Sequence, residues 1–345
     1  MAEIRRAEQN KRGGVSYAVT NDGLELPVVD ITHPAFAAEL TEEKQQALVS
    51  QFLDEQRRFA RLPKLLQAGL MRFFTRGSRI ARGLRRSEGT FLDGMTTYMF
   101  KLGPQNLGSY AVPVERRMLG SLPAISVRLR LSDVARLLAD GLAPRLAADS
   151  ERPLHLLNIA GGPAVDSLNA LILLRREQPA LLEQRRSLIH VLDGDADGPA
   201  FGARALAALQ APGAPLAGLA VTFEHSRYDW REVAGLQPAL VAARNADALL
   251  AVSSEGGLFE YGSDADILAN LRALSGDPQR ELFMVGSVTR DDEVIQTLKL
   301  TSRAATRPRG LPSFSSLVER AGWQVTRAIS RPLSDQVLLV PGARG

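Results

Sequence analysis

The chain reads as an α/β protein: a doubly wound, mostly parallel seven-stranded sheet with an antiparallel terminal hairpin, preceded by a helical N-terminal cap domain. Three observations predict this. After Pro153, apolar runs of four to eight residues alternate with segments of helical periodicity, the pattern of parallel strands covered on both faces. The last two runs are separated only by SRPLSD, too short for a crossover helix, so they form a hairpin. Before residue 150, apolar residues recur mainly at three and four spacing.

Taken in order, residues 1–32 form an N-terminal arm with one short strand in LELPVVDI, ended by Thr32-His33-Pro34. Residues 33–150 form the helical cap, or substrate domain. Its helices are expected in AAELTEEKQQALVSQFLDEQRRFARL, then around 64–74, 91–102 and 132–148, while SVRLRL (126–131) alternates like a strand. Residues 151–345 form a Rossmann-like domain. Its strands are expected in LHLLNIA (154–160), SLIHVLD (187–193), LAVTFEH (219–225), ADALLAVSS (246–254), ELFMVGSV (281–288), WQVTRAI (323–329) and QVLLVP (336–341). No internal repeat or low-complexity block interrupts this order.

Composition narrows the function classes. With 345 residues, 45% apolar and 23% charged, the chain has the balance of a globular protein with a substantial core. No apolar stretch reaches the roughly 18 residues that span a bilayer. The polar start MAEIRRAEQNKRGG lacks the apolar segment of a secretory signal, and the absence of cysteine excludes disulfides and thiolate sites, so a cytoplasmic location is expected. The net charge of +4 is uneven: residues 1–150 hold 22 Lys+Arg against 16 Asp+Glu, and residues 151–345 hold 20 against 22. Ten basic residues and no acid lie between Arg57 and Arg86. That face suits a nucleic acid, an anionic membrane surface or an acidic carrier protein, or is simply a solvated helical pair. Phe59, Phe73 and Phe74 fall at core-like positions, which argues against base stacking and makes nucleic acid an improbable partner.

In open α/β sheets ligands bind beyond the carboxyl ends of the strands. The first such turn is NIAGGPAVDSLNALILL, in which Gly161 and Gly162 remove side chains where backbone and ligand approach, and Pro163 presets a helical turn. Adjacent glycines followed by Pro163-Ala164-Val165 do not make the G-x-G-x-x-G dinucleotide fingerprint, and no Walker lysine follows. The turn resembles the first motif of class I S-adenosylmethionine-dependent methyltransferases, an acid, an apolar residue and then Gly-x-Gly-x-Gly. Asn158 stands at the acidic position, Ala160 at the first glycine, Gly162 at the second and Ala164 at the third. The terminal hairpin, with AGW leading into it, is also similar to that family's antiparallel seventh strand. The resemblance covers about residues 150–342 and implies S-adenosylmethionine as cofactor. Because Asn158 lacks charge, the cofactor's ammonium would be held by a neutral amide or by a carboxylate elsewhere, and the alanines suggest a slightly less open turn.

HVLDGDADGPAFG (190–202) carries three alternating aspartates. A calcium loop counted from Asp193 needs an acid at its twelfth position, where Arg204 stands, so no metal is expected. Asp193, closing the second strand with Gly194 after it, is instead placed to accept ribose hydroxyls, as the resemblance also implies. Past the third strand, Tyr228 and Asp229 are candidates for the adenine ring and its amino group, whereas Trp230 reads as core. Past the fourth strand lies the segment that, in the family the chain resembles, borders the methyl group and substrate; here Ser253, Ser254 and Glu255 supply polar groups, with Glu255 able to bind an ammonium and Tyr261 able to face a sulfonium. Ser263 and Asp264 equally suit a helix cap. His225 is the candidate catalytic base; His155 and His190 lie inside strands and His33 in the arm. Tyr98 of the cap is a further candidate.

Three functions fit these residues. The first is a small-molecule methyltransferase of specialised metabolism; the Asp/Asn-Pro-Pro-aromatic signature of enzymes that methylate base amino groups is missing. The second is a cyclase of the same fold, in which the cofactor's own amino group attacks its γ-carbon, forming azetidine-2-carboxylate and releasing methylthioadenosine. The third is a non-catalytic partner or RNA-binding protein using the Arg57–Arg86 face. A homodimer is compatible with all three.

Overall fold

A computed structural model describes residues 11–38, 40–63, 77–86, 92–108, 111–276, 281–300 and 304–342. The sheet has seven strands: β3 (Leu154–Ile159), β4 (Ser187–Asp193), β5 (Val221–Arg227), β6 (Leu249–Ser254), β7 (Leu282–Thr289), β8 (Trp323–Ser330) and β9 (Ser334–Pro341). They lie in the order β5-β4-β3-β6-β7-β9-β8. Five are parallel; β9 runs antiparallel to both β7 and β8, so the terminal hairpin inserts its second strand between β7 and its first. The expected topology is therefore present, with every strand within three residues of its expected bounds.

The inner strands are buried on both faces because helices cover both, whereas the edge strands β5 and β8 are largely exposed. One face packs under helices Val165–Glu177 and Asp197–Leu209, the other under Gln237–Asn245, Asp264–Leu274 and Gly310–Glu319. Trp323 is buried on the second face, with its indole N–H donating to the Leu271 carbonyl at 2.9 Å.

The segment 126–131 corrects the sequence expectation. It is the interior of a 27-residue helix, Leu122–Ala148, rather than a strand. The Arg128 and Arg130 alternation that mimics a strand arises because Arg130 points into a buried cluster of charges rather than to solvent. This helix lies across β6, β7 and β9 beside Val165–Glu177. Arg331 clips it to the terminal hairpin through Asp133 at 2.6 and 2.8 Å.

The arm is more ordered than a lone strand. β1 (Tyr17–Val19) and β2 (Glu25–Pro27) form a hairpin, and Asn21 donates to Asp197 at 2.6 Å. Cap helices are found at Glu42–Ala60, Arg79–Arg86, Gly94–Leu102 and Pro113–Leu119. The helix expected near 64–74, and with it much of the basic stretch, lies outside the described residues. No helix among those described is long and apolar enough to cross a membrane.

Helix Gly94–Leu102 decides where the cap meets the sheet. Asp93 caps it by accepting the Thr96 N–H at 2.6 Å. Its first residue presses on the turn after β3: a Cβ on Gly94 would lie 2.9 Å from the Gly162 Cα, and one on Gly162 would lie 2.8 Å from the Gly94 Cα. Because backbone meets backbone there, Gly94→Ala is expected to cost about 1–3 kcal/mol in urea unfolding through overpacking. An unchanged midpoint would show that the helix is not seated on the turn.

Candidate functional site

A cavity of about 790 Å³ opens beyond the carboxyl ends of β3, β4 and β6, roofed by helix Gly94–Leu102 and bordered by Ala305 and Arg307. Its innermost edge is the turn after β3. Ala160 (φ 56°), Gly162 (φ 55°) and Ala164 (φ 52°) are all left-handed. The two alanines occupy the positions where the resembling motif has glycine, and each costs roughly 1–2 kcal/mol in that region. The turn is thus held under strain in the left-handed region that favours glycine. Gly161 is required by its own chain, since a Cβ there would fall 2.0 Å from the Asn158 Oδ1.

Beneath the turn is a polar floor. Asn158, fully buried at the end of β3, donates through Nδ2 to Asp166 at 2.8 Å and to the Ser253 hydroxyl at 3.0 Å. Asn158 Oδ1 and Asp166 Oδ2 have no hydrogen-bond partner among the described residues. Burial, reinforced by the Glu255 charge, pushes the Asp166 carboxyl up. Ser254 joins neighbouring strands instead of lining the cavity: its hydroxyl donates to the Ile159 carbonyl and accepts the Leu258 N–H, both at 2.9 Å.

Asp193 stands at the cavity wall where β4 ends. One carboxylate oxygen accepts the Gly162 N–H and the other the Asp195 N–H, each at 2.9 Å, while burial raises its pKa. Each oxygen keeps a lone pair for a further donor. Gly194 and Asp195 continue the wall.

Further out, Tyr228 reaches the lining, but its side chain is structural. The hydroxyl donates to Asn270 at 2.6 Å, and burial pushes the phenol up to about 12. Asp229 is half-exposed on the wall, its carboxyl lowered by the Arg231 guanidinium at 2.9 Å.

The opposite wall carries buried charges from two regions of the chain. Glu255, just past β6, pairs through one oxygen with Lys101 of the cap helix and through the other with Arg130. Arg130 also reaches Glu260 at 3.0 Å, and Glu260 accepts the Ser287 hydroxyl at 2.8 Å. Burial disfavours the Glu255 charge, but the two cations outweigh it and hold the carboxyl at about 2. Tyr261 lines the cavity nearby.

Of the expected site residues, the cavity gathers Ala160, Gly161, Gly162, Asp193, Gly194, Tyr228, Asp229 and Glu255. Asn158 and Ser253 lie in the floor, and Ser254 between strands. His225 and Tyr98 are not brought to the lining. His225 is exposed on β5, the sheet edge, with Nε2 3.0 Å from the Asp193 carbonyl oxygen. Tyr98 is buried against Phe201, its hydroxyl donating to the Pro27 carbonyl at 2.6 Å and accepting from Val29 at 3.2 Å. Asp93, Thr97 and Lys101, none of them expected at the site from the sequence, also face the cavity. Their four-residue spacing along one helix stripe was the available signal; Tyr98, about 100° further round, belongs to the opposite packing.

The Glu255 cluster carries a pH signature. Its carboxyl titrates at about 2 in the folded chain against an ordinary 4.5, so its stabilisation is complete above about pH 4.5 and fades as pH falls through about 2. Glu255→Gln, which strands two buried cations, is expected to cost about 3–5 kcal/mol in urea unfolding at pH 7 and markedly less near pH 2. An equal loss at both pH values would contradict the ion-pair account.

No family model matches the chain, and no curated protein matches it. Among solved structures it is similar to a possible exported protein from Bordetella parapertussis, with 16% identity, 88% of this chain and 100% of that chain covered, and a TM-score of 0.56. It is also similar to the riboflavin-derivative dimethyltransferase RosA from Streptomyces davawensis (15%, 88% and 71%, TM-score 0.37) and to the mitomycin 7-O-methyltransferase MmcR (14%, 66% and 57%, TM-score 0.36). The strand order, with β9 inserted antiparallel between β7 and β8, is the mostly parallel seven-stranded α/β arrangement expected from the sequence, and the likeness to the first of these structures is one of fold.

Proposed function

We propose that the chain is an S-adenosylmethionine-dependent methyltransferase acting on a small molecule, in specialised metabolism. The observation that carries this reading is a strained, left-handed turn hydrogen-bonded to the Asp193 carboxylate, both lining one cavity at the carboxyl edge of the sheet. Strain of this kind persists where the surroundings enforce it, commonly at a ligand clamp. The cavity volume lies within the roughly 300–1,000 Å³ of small-molecule sites.

The residues fit the cofactor in parts. Asp193 offers its remaining lone pairs to ribose hydroxyls, and Gly161 and Gly162 leave the path of the amino-acid tail free of side chains. Asp229 offers an acceptor for the adenine amino group. Asp195, Glu232 and Asp266 add negative charge to the wall, which suits a sulfonium cation. Bound S-adenosylmethionine supplies an electrophilic methyl group, so the chain's own work is alignment and exclusion of water. Helix Gly94–Leu102 roofs the cavity, and the ring of Tyr261, which lines it, would attract a sulfonium.

Calorimetry with S-adenosylhomocysteine tests this reading. The wild-type chain should bind, and Asp193→Ala should weaken binding by about 10- to 100-fold, the worth of hydrogen bonds to a charged group. Unchanged affinity would remove the ribose assignment. Methylthioadenosine appearing from cofactor alone would replace methyl transfer by the cyclase reaction.

A further inference from the structure

Lys101 is more buried than a lysine tolerates without partners. It is 3% exposed, lines the cavity, and uses one of its three N–H donors, on Glu255. The rest of the cluster is balanced, with Arg130 shared between Glu255 and Glu260. Glu255 in turn has lone pairs beyond the two that its cations occupy. The wall formed by Lys101 and Glu255 thus presents spare ammonium hydrogens beside spare carboxylate lone pairs, the mirror of an α-amino acid's charges. The helix that carries Lys101 starts against Gly162, and its stripe of Asp93, Thr97 and Lys101 runs roughly 12 Å along the wall.

We infer that Lys101 anchors the α-carboxylate of the cofactor's amino-acid tail, with Glu255 beside it for the ammonium, so that this wall of the cavity is a zwitterion receptor completed by the cap. The inference rests on the proposed use of S-adenosylmethionine and goes beyond it by making the cap helix part of the cofactor site.

The test is calorimetric titration of S-adenosylhomocysteine and of its decarboxylated analogue into wild type, Lys101→Met and Lys101→Gln, each checked for folding by thermal unfolding. Wild type should prefer the carboxylate-bearing ligand by about tenfold or more, the worth of a charge-assisted hydrogen bond. Both variants should lose that preference. Lys101→Gln keeps an N–H for Glu255 and serves if Lys101→Met does not fold. A wild type without preference, or variants that keep it, would overturn the assignment. Failure of wild type to bind either nucleoside would instead remove the methyltransferase reading.

Discussion

The four buried charges Lys101, Glu255, Arg130 and Glu260 tie the helical N-terminal region to the sheet at the wall of the cavity. Each comes from a different element: the helix Gly94–Leu102, the loop after β6, the helix Leu122–Ala148 and the short helix Leu258–Tyr261. Charges taken out of water persist only in close pairs, so these elements cannot separate without stranding an ion. A hydrophobic contact would hold them with less directional demand. That wall of the cavity is therefore fixed, and it is charged.

The turn after β3 supplies the second constraint. It packs the cap helix through Gly94 and Gly162 on one side and makes room for Asn158 on the other, while Asp193 holds the Gly162 N–H. Three left-handed residues in five positions are a high conformational cost for a connection that could have been ordinary. The surroundings that enforce it, namely the cap helix, Asp193 and the polar floor, are those that bound the cavity. Strain and site coincide.

Much of the fold was legible because parallel strands buried on both faces leave an unmistakable apolar rhythm, and because SRPLSD is too short for anything but a hairpin. SVRLRL misled because a buried ion pair places arginine where a helix of this kind would otherwise carry apolar residues; alternation alone does not separate an outward arginine from one that meets Glu255. At the site, residues at strand ends were readable, since topology alone puts Asp193, Asp229 and Glu255 at one edge. Residues contributed by the cap were not, because their proximity depends on how a distant helix docks. His225 fails for a different reason: β5 runs on to Arg227, so His225 lies two residues short of the strand's end, and it is Arg227 and the residues after it that reach the cavity. In FLDGMTTYMFKLG the aromatic drew notice, whereas the lysine inside an apolar run was the more unusual residue.

The central claim is that one nucleoside lies across the carboxyl edge of the sheet. It is tested most directly by a crystal structure of the chain soaked with S-adenosylhomocysteine. The account predicts ribose hydroxyls within hydrogen-bonding distance of Asp193 and the amino-acid tail running over Gly161 and Gly162 beneath the cap helix. Density for the nucleoside elsewhere, or side chains closing the cavity against it, would contradict the account.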